Sequence, residues 1–248
     1  MTARPRIVIV TQARMGSTRL PGKVLKEAAG RTLLQHHLER LGRVRHADRV
    51  VCATTDNPAD DVLADHAASL GVPVVRGSEA DVLDRFHRAA LAHQAGIIVR
   101  VTSDCPLIDP ALIDELLEMA LASDPATDHA SIDISAFPRG LDAEAIRFEA
   151  LDEAWRLGRE PFEREHVTPY IYRRPERFRL RTLTRPGGIP GPHRWCVDTA
   201  EDFELVRRLL ETLLPGNPGF GWQDVLAVLR DHPDWAALNQ GVVQKTLT

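Results

Sequence analysis

The sequence predicts an α/β protein with a doubly wound, mostly parallel sheet, and three observations support this fold class. Short apolar runs of strand length, starting at 7–10, alternate with amphipathic helical stretches through the first half of the chain. The runs are apolar on both faces, which is typical of parallel strands covered by helices on two sides. Pro58 and Gly71 stand where one of these helices is expected to begin and end.

The first half contains four predicted strands, each followed by a predicted helix. The strands cover 7–10, 49–53, 72–75 and 97–101, and the helices cover 32–41, 58–70, 79–94 and 112–121. Ligands bind at the carboxyl ends of the strands in sheets of this kind. The loops after Val10 and Val101 are therefore expected to face one common site.

The second half has a less regular pattern. Predicted strands lie near Glu144, at 178–184 and at 195–197, and predicted helices lie at 148–157, 164–172 and 201–214. No internal repeat or low-complexity linker separates these elements from the first half. We predict a single domain over 1–248 that carries a small inserted α+β lobe, roughly residues 127–192.

Composition and charge exclude several classes of protein. The net charge of −4 argues against a protein whose main partner is a nucleic-acid backbone. The cysteines Cys52, Cys105 and Cys196 are far apart with no CxxC pair, which is typical of a reducing compartment. No apolar stretch approaches the roughly 20 residues of a membrane span, and the first residues do not form a signal peptide. We therefore expect a cytoplasmic protein that binds neither nucleic acid nor membrane.

The most informative segment, 11–23, follows the first strand and combines glycines, hydroxyl side chains, two arginines and a lysine. Gly16 allows backbone N–H groups to approach phosphates closely, and Arg14 and Arg19 can each bind phosphate oxygens with two donors. Lys23 adds a mobile point charge. The pattern differs from the Walker loop and from GxGxxG. It predicts a triphosphate-binding loop, and the alternative is a solvated basic loop.

Two aspartates are candidate metal ligands. Asp104 follows the fourth strand, where a carboxylate suits a hard cation that bridges triphosphate oxygens. Asp198 follows the predicted strand 195–197 in the same way. Each aspartate could equally cap the helix that comes after it, so the residue pattern alone leaves both roles open.

The segment 11–23 resembles the signature loop of the cytidylyltransferases that make CMP-activated sugars, among them the 3-deoxy-manno-octulosonate and acylneuraminate cytidylyltransferases. Three further segments, 76–86, 137–144 and 163–170, are similar to the branch named after spore coat polysaccharide biosynthesis. The resemblance extends from about Ile7 to Leu210. It implies a Rossmann-like nucleotidyltransferase fold.

The resemblance also implies a reaction. An acceptor oxygen would attack the α-phosphorus of CTP, and pyrophosphate would leave. Mg²⁺ would be held by Asp104 and Asp198, and Arg14 and Lys23 would neutralise the triphosphate and the departing pyrophosphate. The partners would be CTP and an anionic small-molecule acceptor such as an acidic sugar, and the protein would form a homodimer through its inserted lobe.

The predicted site residues fall into two groups. The nucleotide-binding group follows the first, third and fourth strands and consists of Gln12, Ala13, Arg14, Gly16, Ser17, Arg19, Lys23, Arg76, Asp81, Thr102 and Asp104. The acceptor-binding group lies in the inserted lobe and consists of Arg139, Glu144, His166 and Tyr170. Mixed charges beside aromatic residues are also typical of a polar dimer interface or a solvated face.

Three other functions remain as alternatives. A related nucleotidyltransferase would use a sugar 1-phosphate or a phosphonate as the acceptor. A metal-dependent glycosyltransferase would be expected to carry an Asp-x-Asp motif after a strand, whereas 102–105 contains a single aspartate. A non-catalytic nucleotide-binding module would have no need for Lys23, Asp104 and Asp198 together.

Overall fold

The computed structural model describes residues 4–122, 126–189 and 193–243. Its strands are β1 (Ile7–Gln12), β2 (Glu27–Ala28), β3 (Arg31–Thr32), β4 (Arg49–Thr55), β5 (Val74–Gly77), β6 (Ile97–Thr102), β7 (His129–Ile132), β8 (Glu144–Arg147) and β9 (Leu180–Leu183). Seven of them form the central sheet, in the order β5-β4-β1-β6-β8-β7-β9. The two-residue strands β2 and β3 form a separate antiparallel pair.

The sheet is mostly parallel, and helices cover both of its faces. Strands β5, β4, β1 and β6 run parallel, while β8 runs antiparallel to both β6 and β7. The helices are α1 (Leu33–Leu41), α2 (Asp61–Ser69), α3 (Val82–Ala92), α4 (Pro110–Leu121), α5 (Phe148–Leu157), α6 (Pro161–His166), α7 (Pro169–Tyr172), α8 (Ala200–Leu213), α9 (Trp222–Asp231) and α10 (Pro233–Ala236). The predicted fold class is confirmed.

The alternation of side chains along β1 shows why the fold is doubly wound. Ile7 and Ile9 pack with residues of α1, α4, α8 and α9 on one face. Val8 and Val10 pack with residues of α3 and α5 on the other. All four side chains are fully buried, as expected for a central strand covered on both sides.

Short polar side chains fix the starts of the main helices. Thr32 accepts a hydrogen bond from the Gln35 amide at the start of α1, and Asp109 accepts two from the first turn of α4. Such caps satisfy N–H groups that have no partner inside the helix. Helix α3 begins at Val82 rather than at residue 79, because Asp81 is its cap.

Two predicted elements differ from the structure. The helix expected over 164–172 is two short helices, α6 and α7, separated at Val167, which has a positive φ of 71°. The strand expected at 195–197 does not form; Arg194 makes only an isolated bridge with Arg139. Trp195 and Val197 are apolar because they are buried in the core, and their backbone amides bond to neighbouring loops instead of a strand.

The segment predicted as an inserted lobe contributes β7, β8 and β9, which extend the central sheet beyond β6. The last residues of that segment, 190–192, lie outside the described residues. The lobe's boundaries and its part in dimerisation stay predictions. In the described part of the chain, no helix combines the length and the apolarity that a membrane span needs.

Candidate active site

A cavity of about 650 Å³ opens at the carboxyl ends of β1 and β6. The register of these parallel strands sets Gln12 beside Thr102 at their ends, so both following loops leave the sheet on the same side. We call it the phosphate cavity, after the predicted role of the residues that line it. The predicted nucleotide-binding and metal-binding residues in its wall are Gln12, Ala13, Arg14, Gly16, Ser17, Arg19, Lys23, Thr102, Asp104 and Asp198.

The loop after β1 is held by hydrogen bonds at several points. The Met15 amide donates to the Asp60 carboxylate at 2.6 Å, and the Gly22 amide donates to the Met15 carbonyl at 3.1 Å. Gly22 has a φ of 65°, a conformation that favours glycine, and it directs the chain into a short 3-10 turn over Lys23–Leu25. Because Val24 is buried in this turn, the backbone of Lys23 is anchored beneath the cavity.

Lys23 joins the two candidate metal ligands. Its ammonium lies 2.9 Å from Asp104 Oδ2 and 2.8 Å from Asp198 Oδ1. Asp198 has two further cationic partners, since Arg19 lies at 2.9 Å and Arg194 at 2.5 Å from its Oδ2. The two aspartates, distant in sequence, therefore belong to one charged cluster.

The pKa shifts in this cluster keep all three groups charged at neutral pH. Burial by itself would raise the pKa of the Asp104 and Asp198 carboxyls, but the nearby Lys23 ammonium outweighs burial and lowers both. Burial would also lower the pKa of Lys23, and the charges of the two aspartates raise it instead. Close opposite charges outweigh desolvation here.

A backbone hydrogen bond brings the two aspartates together. The Val197 amide donates to the Asp104 carbonyl at 2.7 Å, which ties the segment before α8 to the turn after β6. The Asp198 amide then donates to the Asp202 carboxylate at 3.0 Å. Asp202 is fully buried and also accepts a hydrogen bond from Arg194, so it holds both Asp198 and one of its partners.

A second cavity, of about 500 Å³, adjoins the first, and we call it the acceptor cavity. Both cavities are lined by Asp104 and Asp198, so the aspartates stand between them. The predicted residues Arg139, Glu144 and His166 line the acceptor cavity. Groups bound in the two cavities would therefore meet at the two aspartates.

The residues at the base of the acceptor cavity form a charged hydrogen-bonded group. Glu144 accepts from Arg100 at 2.5 Å and pairs with the ring of His129 at 2.9 Å. Strand register explains the first contact, because Arg100 on β6 is paired with Glu144 on β8. Burial alone would raise the pKa of Glu144, but Arg100 and His129 lower it to about 2.

Residues 7–213 match the family model described as cytidylyltransferase. The chain belongs to the cytidylyltransferase family. The predicted family and the predicted enzyme class, a nucleotidyltransferase, are both confirmed.

The chain matches two curated relatives over nearly the whole length of each relative. This cytidylyltransferase is 34% identical to the spore coat polysaccharide biosynthesis protein SpsF of Bacillus subtilis, over 93% of this chain and 96% of that protein. It is 36% identical to the 3-deoxy-manno-octulosonate cytidylyltransferase of Anaeromyxobacter dehalogenans, over 82% of this chain and 97% of that protein.

Solved structures share the fold. A cytidylyltransferase from Leptospira borgpetersenii superposes with a TM-score of 0.89 at 32% identity, covering 97% of this chain and all of that one. A CMP:2-keto-3-deoxy-manno-octonic acid synthetase in complex with CTP superposes with a TM-score of 0.63 at 23% identity, over 83% and 98% of the two chains. The second likeness concerns the fold alone.

Two of the predicted nucleotide-binding residues of the cytidylyltransferase do not line the phosphate cavity. Arg76 donates to the carbonyls of Thr55 and Asn57 and pairs with Asp61, so it ties two loops together. Asp81 caps α3 and forms an ion pair with Arg164. Both residues therefore stabilise loops and helices near the phosphate cavity and do not line it.

One predicted acceptor residue also lies elsewhere. Tyr170 is only 5% exposed and packs against Phe178 and the guanidinium of Arg174. Tyr172 lines the acceptor cavity instead. Both belong to the short helix α7, where side chains two positions apart point in nearly opposite directions.

Several residues of the two cavities are missing from the sequence prediction, namely Glu79, Arg85, Arg100, His129, Asp142 and Tyr172. Arg194, which contacts Asp198, is missing from it as well. One signal was present for Arg100, which is a charged residue inside an otherwise apolar strand. Arg194 and Asp198 have the spacing of neighbours on one face of a helix. The segment is not helical, so this spacing could not have predicted their contact.

The pair Asp104 and Asp198 fits a magnesium ion that also binds a nucleotide. Among the described residues, no group of three or more His, Cys, Asp or Glu side chains is arranged to hold a metal. Mg²⁺ commonly takes only one or two carboxylates and completes its octahedron with water and substrate phosphates. Two carboxylates beside a cavity lined by arginines and a lysine match that requirement.

Proposed function

We propose that this cytidylyltransferase transfers CMP from CTP to an acidic sugar, of the ulosonic or nonulosonic acid type, in a magnesium-dependent reaction that releases pyrophosphate. The observation that carries the proposal is the Lys23–Asp104–Asp198 cluster at the boundary of the two cavities. The similarity to SpsF, a spore coat polysaccharide biosynthesis protein, supports a product used in surface polysaccharide or glycoconjugate synthesis, and the similarity to the 3-deoxy-manno-octulosonate enzyme supports a sugar-acid acceptor.

The chain's own residues would position the triphosphate. Backbone N–H groups near Gly16, together with Arg14 and Arg19, would bind phosphate oxygens and leave the α-phosphorus facing the aspartates. Lys23 would neutralise charge on the departing pyrophosphate. Such a reaction depends on positioning and on charge neutralisation rather than on a covalent intermediate.

Asp104 and Asp198 would hold Mg²⁺, and neither needs to act as a base. Bound Mg²⁺ would neutralise charge at the α-phosphate and lower the pKa of the acceptor hydroxyl. Arg139 and His166 would contact the anionic group of the acceptor, with the Glu144 group fixing the cavity's floor. This arrangement directs the acceptor oxygen toward the α-phosphorus.

A panel of acceptors tested against each of the four nucleoside triphosphates, with pyrophosphate release as the readout, examines the proposal. We expect release with CTP, Mg²⁺ and a sugar acid, and little with the other triphosphates. Turnover of a sugar 1-phosphate or a phosphonate in place of the sugar acid would instead support the alternative acceptor class. Nucleotide binding without any turnover would support a non-catalytic module, and transfer of a sugar from a nucleotide sugar would support a glycosyltransferase.

A further inference from the structure

The position of the Lys23 ammonium has a consequence for metal binding. Its nitrogen lies between Asp104 Oδ2, at 2.9 Å, and Asp198 Oδ1, at 2.8 Å. The Lys23 side chain is 12% exposed, so it is packed into the cluster rather than extended into solvent. It binds the same two carboxylates that suit Mg²⁺ in this family member.

A divalent cation and the ammonium cannot occupy this position together. A cation bound by both carboxylates would draw on the same negative charges that now bind the Lys23 ammonium. The two positive centres would then lie close together and repel each other. One of them must leave before the other can bind.

Lys23 is able to leave without disturbing the fold. Its backbone is anchored by the turn over Lys23–Leu25 and by buried Val24, while its long side chain is flexible. The side chain also lines the phosphate cavity beside Arg14 and Gly16, where the triphosphate is proposed to bind. Phosphate oxygens there would offer the ammonium an equivalent set of negative partners.

We propose that Lys23 competes with the divalent metal for Asp104 and Asp198, so that the metal binds strongly only once a triphosphate has drawn the ammonium away. The inference rests on the proposed function. It makes metal binding conditional on nucleotide and keeps the two carboxylates neutralised in the free enzyme. It also assigns Lys23 a second role besides charge neutralisation on the phosphates.

The test measures metal affinity in the absence of any nucleotide. Mn²⁺ is titrated into the full-length protein, and free Mn²⁺ is read from its electron paramagnetic resonance signal. We expect Lys23→Met to bind Mn²⁺ about tenfold more tightly than the wild type, or better, because the competing cation is gone. Lys23→Gln is a second variant with the same expected gain, should the first fold poorly.

Three controls separate competition from a general change of charge. Lys26→Met removes the same charge from a lysine that contacts the Phe203 ring outside both cavities, and it should leave Mn²⁺ affinity unchanged. Arg19→Met removes a cation that contacts Asp198, and its gain should be smaller than that of Lys23→Met. Adding Asp104→Asn to Lys23→Met should abolish the gain.

Equal or weaker Mn²⁺ binding by both Lys23 variants would overturn the inference. So would an equal gain in Lys26→Met, because it would show that net charge alone is responsible. These outcomes are distinct from failure of the proposed function, which is read from turnover of the wild type on the acceptor panel. A wild type that transfers CMP and also binds Mn²⁺ tightly without nucleotide would keep the function and remove the competition.

Discussion

At the residue scale, the site depends on charged side chains that neutralise one another. Lys23 bridges Asp104 and Asp198, and Arg100 pairs with Glu144, which is also hydrogen-bonded to the His129 ring. In both groups, opposite charges outweigh the cost of burial, as the direction of the carboxyl pKa shifts shows. Replacing a single member would leave its partners charged in a partly buried site, so effects on function should be large.

The proposed metal role of Asp104 and Asp198 predicts a specific pattern of losses. Asp104→Asn and Asp198→Asn should each lower turnover on the order of a hundredfold or more, because each removes a ligand that acts on the transition state. The double variant should be scarcely slower than either single variant, since the two act as a unit. Steady-state kinetics and thermal melts of the three variants measure this.

The opposite pattern would give the two aspartates a purely structural role. Asp109 caps α4 and Thr199 caps α8, so that role would be the ion pairs with Lys23, whose loss lowers stability and leaves turnover nearly unchanged. Variants with normal rates and lowered melting temperatures, or rate losses that multiply in the double variant, would therefore contradict the shared metal.

The lowered pKa of Glu144 predicts that the stability of the fold depends on pH. Burial would raise its pKa, but Arg100 and His129 lower it from 4.5 to about 2, so the unfolded chain binds more protons than the folded one between these values. The stability contributed by Glu144 is therefore complete above about pH 4.5 and is lost as the pH falls toward 2. Glu144→Gln should show a weaker decline of unfolding free energy across this range than the wild type.

Urea denaturation at pH 5 and at pH 2.5 measures the difference. Glu115→Gln is the matched control, because it removes the same charge from an exposed residue of α4 that lines neither cavity. It should retain the wild-type decline. A decline in Glu144→Gln as steep as in the wild type would show that other carboxylates account for the pH dependence.

At the element scale, the start of helix α8 is both a structural cap and a support for the site. Thr199 and Asp202 form a capping box, in which each side chain accepts from the other's backbone. Asp202 also accepts from the Asp198 amide and from Arg194, and Asn239 near the end of the described chain donates to it at 2.8 Å. Several segments therefore meet at one fully buried carboxylate.

Asp202→Asn should weaken both stability and catalysis. The new amide would place N–H donors against the donors that now bond to Asp202, and Arg194 would keep only Asp198 of its two carboxylate partners. An unmet buried hydrogen bond of this kind costs about 1–3 kcal/mol. Because Asp198 would lose its fixed position, turnover should fall as well. Chemical denaturation and kinetics at saturating CTP measure the two effects.

Helix α9 offers a control, because its third residue is also an aspartate that accepts from the amide of the capping residue. Asp224 stands at the third helical position and accepts from the Gly221 amide at 2.8 Å, but it lines neither cavity. Asp224→Asn should reduce stability by about 1 kcal/mol without slowing turnover. If Asp202→Asn behaves in the same way, Asp202 is a cap and does not position Asp198.

At the scale of the whole molecule, the sheet order accounts for the meeting of the two cavities. Strands β1 and β6 lie side by side at the centre, and β8 and β7 extend the sheet beside β6. The loop after β1 therefore leaves the sheet next to residues from the second half of the chain. Nucleotide and acceptor would be bound by different parts of one continuous sheet.

The resemblance predicts a homodimer with residues 141–149 near the interface. Light scattering at micromolar concentration should report about twice the 27.6 kDa chain mass. In this region Glu149 is exposed, so Glu149→Arg should weaken the dimer if the residue lies at the interface. A mass equal to one chain for the wild type would contradict the prediction.

Much of the fold was predictable because periodicity reports local structure and burial directly. The four strands and helices of the first half lie close to their predicted positions, and most of the residues predicted in the first loop line one cavity. Arg76 and Tyr170 show the limit of such reasoning. Each has the residue type expected of a site, but its side chain is directed into other contacts by packing that the sequence does not reveal.

The sequence by itself determined the family, the α/β architecture and the residue types of the loop after β1, because these depend on residue types and their local spacing. Only the tertiary structure decided that Asp104 and Asp198 share one lysine. Their segments meet through the bond from the Val197 amide to the Asp104 carbonyl, after a stretch that is buried but is not a strand. Such a contact between distant parts of the chain arises from packing in three dimensions, for which a single sequence carries no local signal.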